Sequence, residues 1–394
     1  MVHIHRRVHD ESRDGDADAL AVHGEPRGAI VAPFFLGLVA DRYFATEKVL
    51  GFLHLLGGLI LFAVPRFTAS PGTFILLLLF YNLCYMPTLG LANSLAFHHI
   101  QSQEQQFPLI RVFGTVGWIV AGLFISLFLG KVTGLVPEQT AMPLYTAATA
   151  SILLGLFSFT LPHTPPSGRG QPVSLRSIAG LDALKQLGDR PFYVFIVASL
   201  LLCIPLAVYY NFTQLFLGAA GVKSIAATQT LGQMSETIFM LLMPMLFLRL
   251  GVKKMLIMGM GAWVLRYALF AIAAPDAVFW LIALGILLHG PCYDFFFVTG
   301  QIYVDTKSTP AVRGQAQGFL VLVTYGVGML IGAQIAGNVY DRFLSGATAL
   351  TLDQWRSFWI LPAAFAAAVL VFFAALFKAP AREATEQVGQ QNVR

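Results

Sequence analysis

The stretch Leu246-Phe247-Leu248-Arg249-Leu250-Gly251-Val252-Lys253-Lys254 separates two long apolar runs, 225–248 and 252–274. A membrane-spanning helix needs about 20 apolar residues, because the hydrocarbon core is about 30 Å thick and each helical residue rises about 1.5 Å. Both runs are long enough to cross, and the turn between them is short and basic. The same unit stands near the other end of the chain. Run 28–40 ends in Gly37-Leu38-Val39-Ala40-Asp41-Arg42, Lys48 follows, and run 48–64 begins. A helix, a basic turn and a second helix, present twice, read as two helical halves related as parallel repeats.

Outward from these turns, apolar runs alternate with short polar breaks along most of the 394 residues. The candidate spans are 28–40, 48–64, 72–97, 111–130, 141–161, 191–217, 225–248, 252–274, 277–300, 314–340 and 356–378, eleven in all. A β-barrel would show runs of about 10 residues with strict alternation, which these are not. Composition agrees: 57% of residues are hydrophobic and only 11% charged, against about 25% charged in soluble domains. A soluble enzyme or a nucleic-acid binder is thereby excluded. The net charge of +5 lies in loops between apolar runs, where it reports topology rather than a nucleic-acid partner. Cys84, Cys203 and Cys292 lie inside apolar runs without a shared motif, so neither a disulfide nor a zinc site is expected. No phosphate loop, HExxH or GxSxG occurs, so neither an ATP-driven pump nor an enzyme is expected, and no cofactor or metal is implied.

Charge also divides the chain. Residues 1–27 carry six acidic and four basic residues and no apolar signal-peptide core, and are expected to be a disordered tail. The longest polar interval between spans, 162–190, divides a helical bundle at 28–161 from a second at 191–378, with a short tail at 379–394. Counting Lys and Arg in alternate loops gives fifteen on one side and five on the other. The richer side is cytoplasmic by the positive-inside rule. It includes the 162–190 loop and the C-terminus, as expected for a multi-pass protein of the cell's inner membrane.

In the second half the basic turn at 249–254 follows the second helix. If the repeats are parallel, span 28–40 is also a second helix, and the first helix of the first half is missing. The expected fold is therefore all-α and membrane-embedded: two six-helix halves lacking the first helix. Gly37-x-x-x-Asp41-Arg42 resembles the loop motif of the major facilitator superfamily, which has this six-plus-six architecture.

Charged groups inside a bilayer cost about 2.5–3.5 kcal/mol each on insertion scales and usually face a cavity or a partner. Few occur here. Arg111, Thr115 and Trp118 share one helical face at i, i+4 and i+7. They suit a polar planar ligand, or else a snorkelling Arg beside a packing Trp. Gln233 and Glu236, at i and i+3, offer an amide and a carboxyl to a base edge or sugar hydroxyls. Interhelical hydrogen bonding is the alternative. In His289-Gly-Pro-Cys-Tyr293-Asp294, Pro291 permits a kink. Asp294 either forms a structural ion pair with Arg266 on the preceding helix or takes part in proton coupling or ligand contact. Tyr209, Tyr210, Asn211 and Gln214 line span 191–217, and Tyr81, Asn82, Thr88 and Asn93 line span 72–97; either set could serve a pathway or hold helices together. His54, His98 and His99 near helix ends read as satisfied interfacial residues.

Several separate segments then resemble the nucleoside:proton symporter family of the major facilitator superfamily. They are Phe107-Pro-Leu-Ile-Arg111-Val-Phe-Gly-Thr115-Val-Gly-Trp118, Leu231-Gly-Gln-Met-Ser-Glu236-Thr, Trp263-Val-Leu-Arg266-Tyr, Cys292-Tyr-Asp294-Phe-Phe, Ala316-Gln317-Gly318 and Tyr85-Met-Pro-Thr-Leu-Gly90. The resemblance covers roughly 28–378. It implies uptake of nucleosides by proton symport, with a site between the two halves formed by Arg111, Thr115, Trp118, Gln233, Glu236, Tyr293 and Asp294. Glu236 and Asp294 are the expected proton carriers. His289 stands where the family has a Tyr. The family's ligand-binding Gln and Asn of the first helix in the second half do not carry over, and Tyr210 and Asn211 take their place. Expected partners are a nucleoside, protons and the lipid bilayer, with no nucleic acid, for a chain acting as a monomer. The alternatives are a major facilitator transporter for another solute, such as a sugar or drug, and a truncated membrane protein that does not transport.

Overall fold

In the computed structural model, residues 43–134, 140–166, 184, 186–222 and 225–378 are described. Span 28–40, the tail 1–27, the tail 379–394 and most of the 162–190 loop lie outside them. The described residues are helical, with no strand among them. The helices are α1 (Thr46–Phe67), α2 (Pro71–His99), α3 (Gln103–Leu123, continued as a π-turn over Phe124–Leu129 and a last turn at Gly130–Thr133), α4 (Met142–Ser158) and α5 (Arg190–Ala219). They are followed by α6 (Ile225–Ala273), α7 (Phe279–Lys307), α8 (Arg313–Leu344) and α9 (Leu352–Leu376). Eight of these helices are long and apolar enough to cross a membrane.

The sequence places two spans where the structure has the single 49-residue α6. The two descriptions agree once Gly251 is considered. Its φ of 68° and ψ of 174° break the helix at a conformation that only glycine adopts without strain. The limbs on either side then run in opposite directions along α7. On the first limb, Gly232 meets His289, Ser235 meets Gly290 and Phe239 packs edge-to-face against Phe295. On the second, Gly259 meets Phe296, whereas Arg266 bonds to Gly285. The basic turn at 249–254 is therefore a reversal, as its composition suggests. Ten of the eleven candidate spans thus coincide with described helices or limbs, and the eleventh, 28–40, falls outside.

Helix ends depart from the sequence reading in two places. α3 starts at Gln103, eight residues before the apolar run, because Ser102 caps it by accepting from the Gln105 N–H. α7 runs on to Lys307, past the apolar limit at 300. In α7 the regular helix is interrupted at Leu288, before Pro291, and continues through His289–Tyr293 into a π-turn over Asp294–Val298. Proline supplies no N–H to the ladder, which accounts for the break. A further π-turn interrupts α8 over Leu322–Gly328.

α1, α2 and α4 pack together, and α5 to α9 share a large apolar core that includes Trp263, Tyr267, Trp355 and Trp359. The two groups meet where α3 lies along the first limb of α6 and where α2 meets α8. At one end this seam is shut. Phe97 and Phe107 of the first group are buried with Met240, Met243, Phe247, Phe295, Val298 and Ile302 of the second. A Cβ on Gly90 would lie 3.3–3.4 Å from the backbone of Gln317 and Gly318, so the helices touch backbone to backbone. The basic turn at 249–254 lies at this end, with Phe247, Leu250 and Val252 packed into the same cluster. Here Arg313 pairs with the buried Asp305 at 2.7 Å, and Lys307 pairs with Asp189. The buried Glu47 carboxylate accepts from the Thr164 N–H at 3.0 Å and contacts His163 Nδ1 at 2.9 Å. His99 Nε2 bonds Thr164 Oγ1 at 2.8 Å, so the ends of α1, α2 and α4 are tied through one short segment. Cys84, Cys203 and Cys292 are buried and free.

Candidate functional site

Arg111 and Thr115 occupy successive turns of α3 on the face turned to the second half. Arg111 Nη2 donates to the Tyr293 hydroxyl at 3.2 Å. Thr115 Oγ1 donates to Glu236 Oε1 at 2.7 Å. Both bonds cross the seam. Glu236 Oε2 faces His289 Nε2 at 3.5 Å, so its two oxygens engage one group from each half. Tyr293 also meets the Tyr325 hydroxyl at 3.0 Å.

The positions of Glu236 and His289 follow from two glycines. A Cβ at Gly290 would strike the Ser235 carbonyl at 2.7 Å and the Glu236 nitrogen at 2.9 Å. A Cβ at Gly232 would stand 3.1 Å from His289 Cβ. Without side chains at these points α6 and α7 approach closely enough for the imidazole to reach the carboxylate. Ser235 Oγ adds a bond to the Leu287 carbonyl, which the interruption at Leu288 leaves available. The imidazole lies between Tyr209 and Tyr293, at 5.9 Å and 22° from the first ring and 6.0 Å and 19° from the second.

Asp294 is fully buried, and among the described residues neither carboxylate oxygen has a hydrogen-bond partner. It lies within electrostatic reach of Glu236 and Arg111. The expected ion pair with Arg266 does not form. Arg266 donates from Nε to the Gly285 carbonyl at 3.1 Å, and both terminal nitrogens lack a hydrogen-bond partner among the described residues. Its guanidinium lies over Tyr209 at 4.2 Å and Trp263 at 4.8 Å. The reason is the antiparallel course of the second α6 limb. It sets Arg266 against Gly285, and Asp294 is nine residues further along α7, about 13 Å at 1.5 Å per residue. A cation–π contact in a dry setting contributes about 2 kcal/mol, and here it stands in for the carboxylate.

The remaining expected residues divide. Gln233 lies one turn before Glu236, and its buried Oε1 has no donor among the described residues. Tyr210 is 46% exposed and within electrostatic reach of Tyr293 and Glu236. Trp118, 73% exposed, and the exposed Asn211 stand outside the bonded cluster. Tyr209, one of the polar residues that line its span, joins Arg266 to His289. Tyr325, which bonds Tyr293 from α8, is the member that sequence reasoning misses. Tyr325 is a lone Tyr in an apolar run, and only the π-turn around it was a signal, one that sequence does not carry.

A model of the family described as "Nucleoside H+ symporter" matches residues 19–382. The chain belongs to the nucleoside H+ symporter family. Among curated members, the putative nucleoside transporter YegT of Escherichia coli K12 is 39% identical over 363 residues, covering 91% of this chain and 84% of YegT. The nucleoside permease NupG of the same organism is 30% identical over 365 residues, covering 89% and 84%. A crystal structure of a mutant NupG superimposes with a TM-score of 0.71 over 93% of this chain and 92% of that one, at 29% identity. The proton:xylose symporter XylE shares the fold, with a TM-score of 0.66 at 12% identity. The fold is that of the major facilitator superfamily, and the chain is a multi-pass membrane protein and a transporter rather than an enzyme. The symporter-family match begins at residue 19, ahead of the first candidate span.

Proposed function

We propose that this chain takes up nucleosides together with protons across the bacterial inner membrane, by alternating access of its two halves to one central site. The observation that carries the reading is the pair of bonds Arg111–Tyr293 and Thr115–Glu236, which join the halves through the polar groups that a nucleoside would contact. Arg111, Thr115, Gln233, His289, Tyr293 and Tyr210 bind the nucleoside, with Trp118 and Asn211 completing the site once substrate is present. Glu236 and Asp294 carry the proton. A carboxylate in a dry interior is costly as an anion and inexpensive once protonated, which suits it to load a proton on one side and release it on the other. The bilayer and the nucleoside are the partners, and the chain acts as a monomer.

The domain division follows the same logic: bundles at 28–161 and 191–378 rock about the site, linked by the 162–190 loop. The basic loops are cytoplasmic by the positive-inside rule, as is the C-terminus. The apolar seal of Phe97, Phe107, Phe247 and Phe295 lies at that end, so the conformation is closed to the cytoplasm and bound for substrate arriving from outside.

The test is uptake into proteoliposomes with an inward proton gradient. Labelled uridine and adenosine should accumulate, and a protonophore should collapse the accumulation. Uptake that neither nucleoside drives or competes for would transfer the chain to another solute.

A further inference from the structure

The closest approach of α6 and α7 leaves two hydrogen-bond acceptors without donors. His289 stands against Gly232, with its ring flat between Tyr209 and Tyr293. Its Nε2 faces Glu236 Oε2 at 3.5 Å. A carboxylate oxygen only accepts, so the proton of the neutral ring belongs on Nε2, and Nδ1 presents a lone pair. That Nδ1 is buried and has no hydrogen-bond partner among the described residues. Gln233, the residue after Gly232, holds a second buried acceptor, Oε1, also without a donor. Buried acceptors are ordinarily satisfied, and leaving one unmade costs the full desolvation of the group. A third orphan completes the set: Arg111 Nε is a buried donor without an acceptor.

We propose that His289 Nδ1 and Gln233 Oε1 receive the two hydroxyls of a vicinal diol, so that this pair reads the ribose and makes the chain selective for ribonucleosides over deoxynucleosides. The inference rests on the nucleoside reading above. Of the parts of a nucleoside, the cis-2′,3′-diol presents two O–H donors on neighbouring carbons. A hydroxyl oxygen also accepts, which satisfies Arg111 Nε. A guanine edge also presents two N–H donors beside its O6 acceptor, and the comparison of guanosine with inosine below separates it from the diol.

The experiment measures KM for uridine, 2′-deoxyuridine and 3′-deoxyuridine in proteoliposomes, for the full chain and for the variants His289→Phe and Gln233→Met. Phe keeps the ring stack and loses the acceptor. Met keeps the length and loses the amide. An unmade buried hydrogen bond predicts a KM about tenfold lower for uridine than for either deoxynucleoside. Each variant should lose its share of that ratio, His289→Phe against one deoxynucleoside and Gln233→Met against the other. Equal KM values for the three substrates in the unaltered chain overturn the proposal. So do ratios that both variants leave unchanged, or a preference for guanosine over inosine that both variants erase. If His289→Phe does not fold, the ratios of Gln233→Met decide. If no nucleoside is transported or bound at all, the nucleoside reading itself falls; if nucleosides are transported without regard to the diol, only this inference does.

Discussion

Thr115 and Glu236 share a 2.7 Å hydrogen bond although they lie 121 residues apart in sequence, on helices of opposite halves. The hydroxyl donates to the carboxylate, and the other carboxylate oxygen faces His289 of the same half as Glu236. One acid therefore senses both halves at once. Any event at Glu236, whether protonation or a competing ligand donor, changes what holds the seam together.

Glu236→Gln keeps an oxygen for Thr115 and removes the exchangeable proton. Proton-driven accumulation of nucleoside should disappear, while nucleoside exchange between preloaded and external pools persists. Full accumulation that collapses with the gradient would take Glu236 out of the coupling role.

Thr115→Val removes the donor and preserves the shape. Loss of a hydrogen bond to a charged, buried group costs about 1–3 kcal/mol, or roughly a 5- to 150-fold change in an equilibrium constant. Uptake kinetics should show a drop of that order in kcat/KM, with Thr115→Ser restoring most of it.

Gly90→Leu places a side chain where the Gln317–Gly318 backbone already stands 3.3–3.4 Å from a bare Cβ. The seam cannot then close at the basic end. Spin labels at Gln101 and Thr309 should move apart relative to the parent chain, and accumulation should fail. An unchanged distance would show that the backbone contact is not what the closed state requires.

Arg266 and Asp294 should behave independently. Arg266→Met and Asp294→Asn, measured by thermal unfolding in detergent singly and together, should be additive within about 0.5 kcal/mol. A coupling of several kcal/mol would restore the ion pair that the structure does not contain.

At the basic end, Asp189 caps α5 by accepting from the Phe192 N–H at 2.9 Å and pairs with Lys307. Partial burial pushes its carboxyl up, but the Lys307 ammonium and the Phe192 N–H outweigh this and hold it below the usual carboxylate range. A group with a depressed folded-state value stabilises above its unfolded value and loses that contribution as pH falls through the folded one. The chain should therefore lose stability on acidification below about pH 4, and Asp189→Asn should blunt the loss. Because the side chain is half exposed, the effect stays within about 1 kcal/mol.

Much of this was legible in the residues themselves. Run length sets the spans, because lipid forces every backbone group into an internal hydrogen bond. Gly251 between two apolar runs marks the reversal in α6, since glycine alone accepts that backbone geometry. The polar residues that meet at the seam, Arg111, Thr115, Glu236, His289 and Tyr293, are visible as costly groups in apolar runs, and helical spacing places Arg111 with Thr115 and Gln233 with Glu236.

The partners of those groups were decided only by the tertiary structure. Sequence puts Arg266 on the helix before Asp294 and makes a pair plausible. The antiparallel limb sets the two residues at different depths, and Tyr209 and Trp263 take the cation instead. His289 reaches Glu236 because Gly232 and Gly290 let two helices touch, a distance of ångströms that no spacing encodes. Tyr325 enters the site because a π-turn shifts the phase of α8. Hydrophobic length and periodicity are local and are written residue by residue. Which polar atom meets which depends on how far each helix slides and turns against its neighbours, and packing of the whole bundle fixes that.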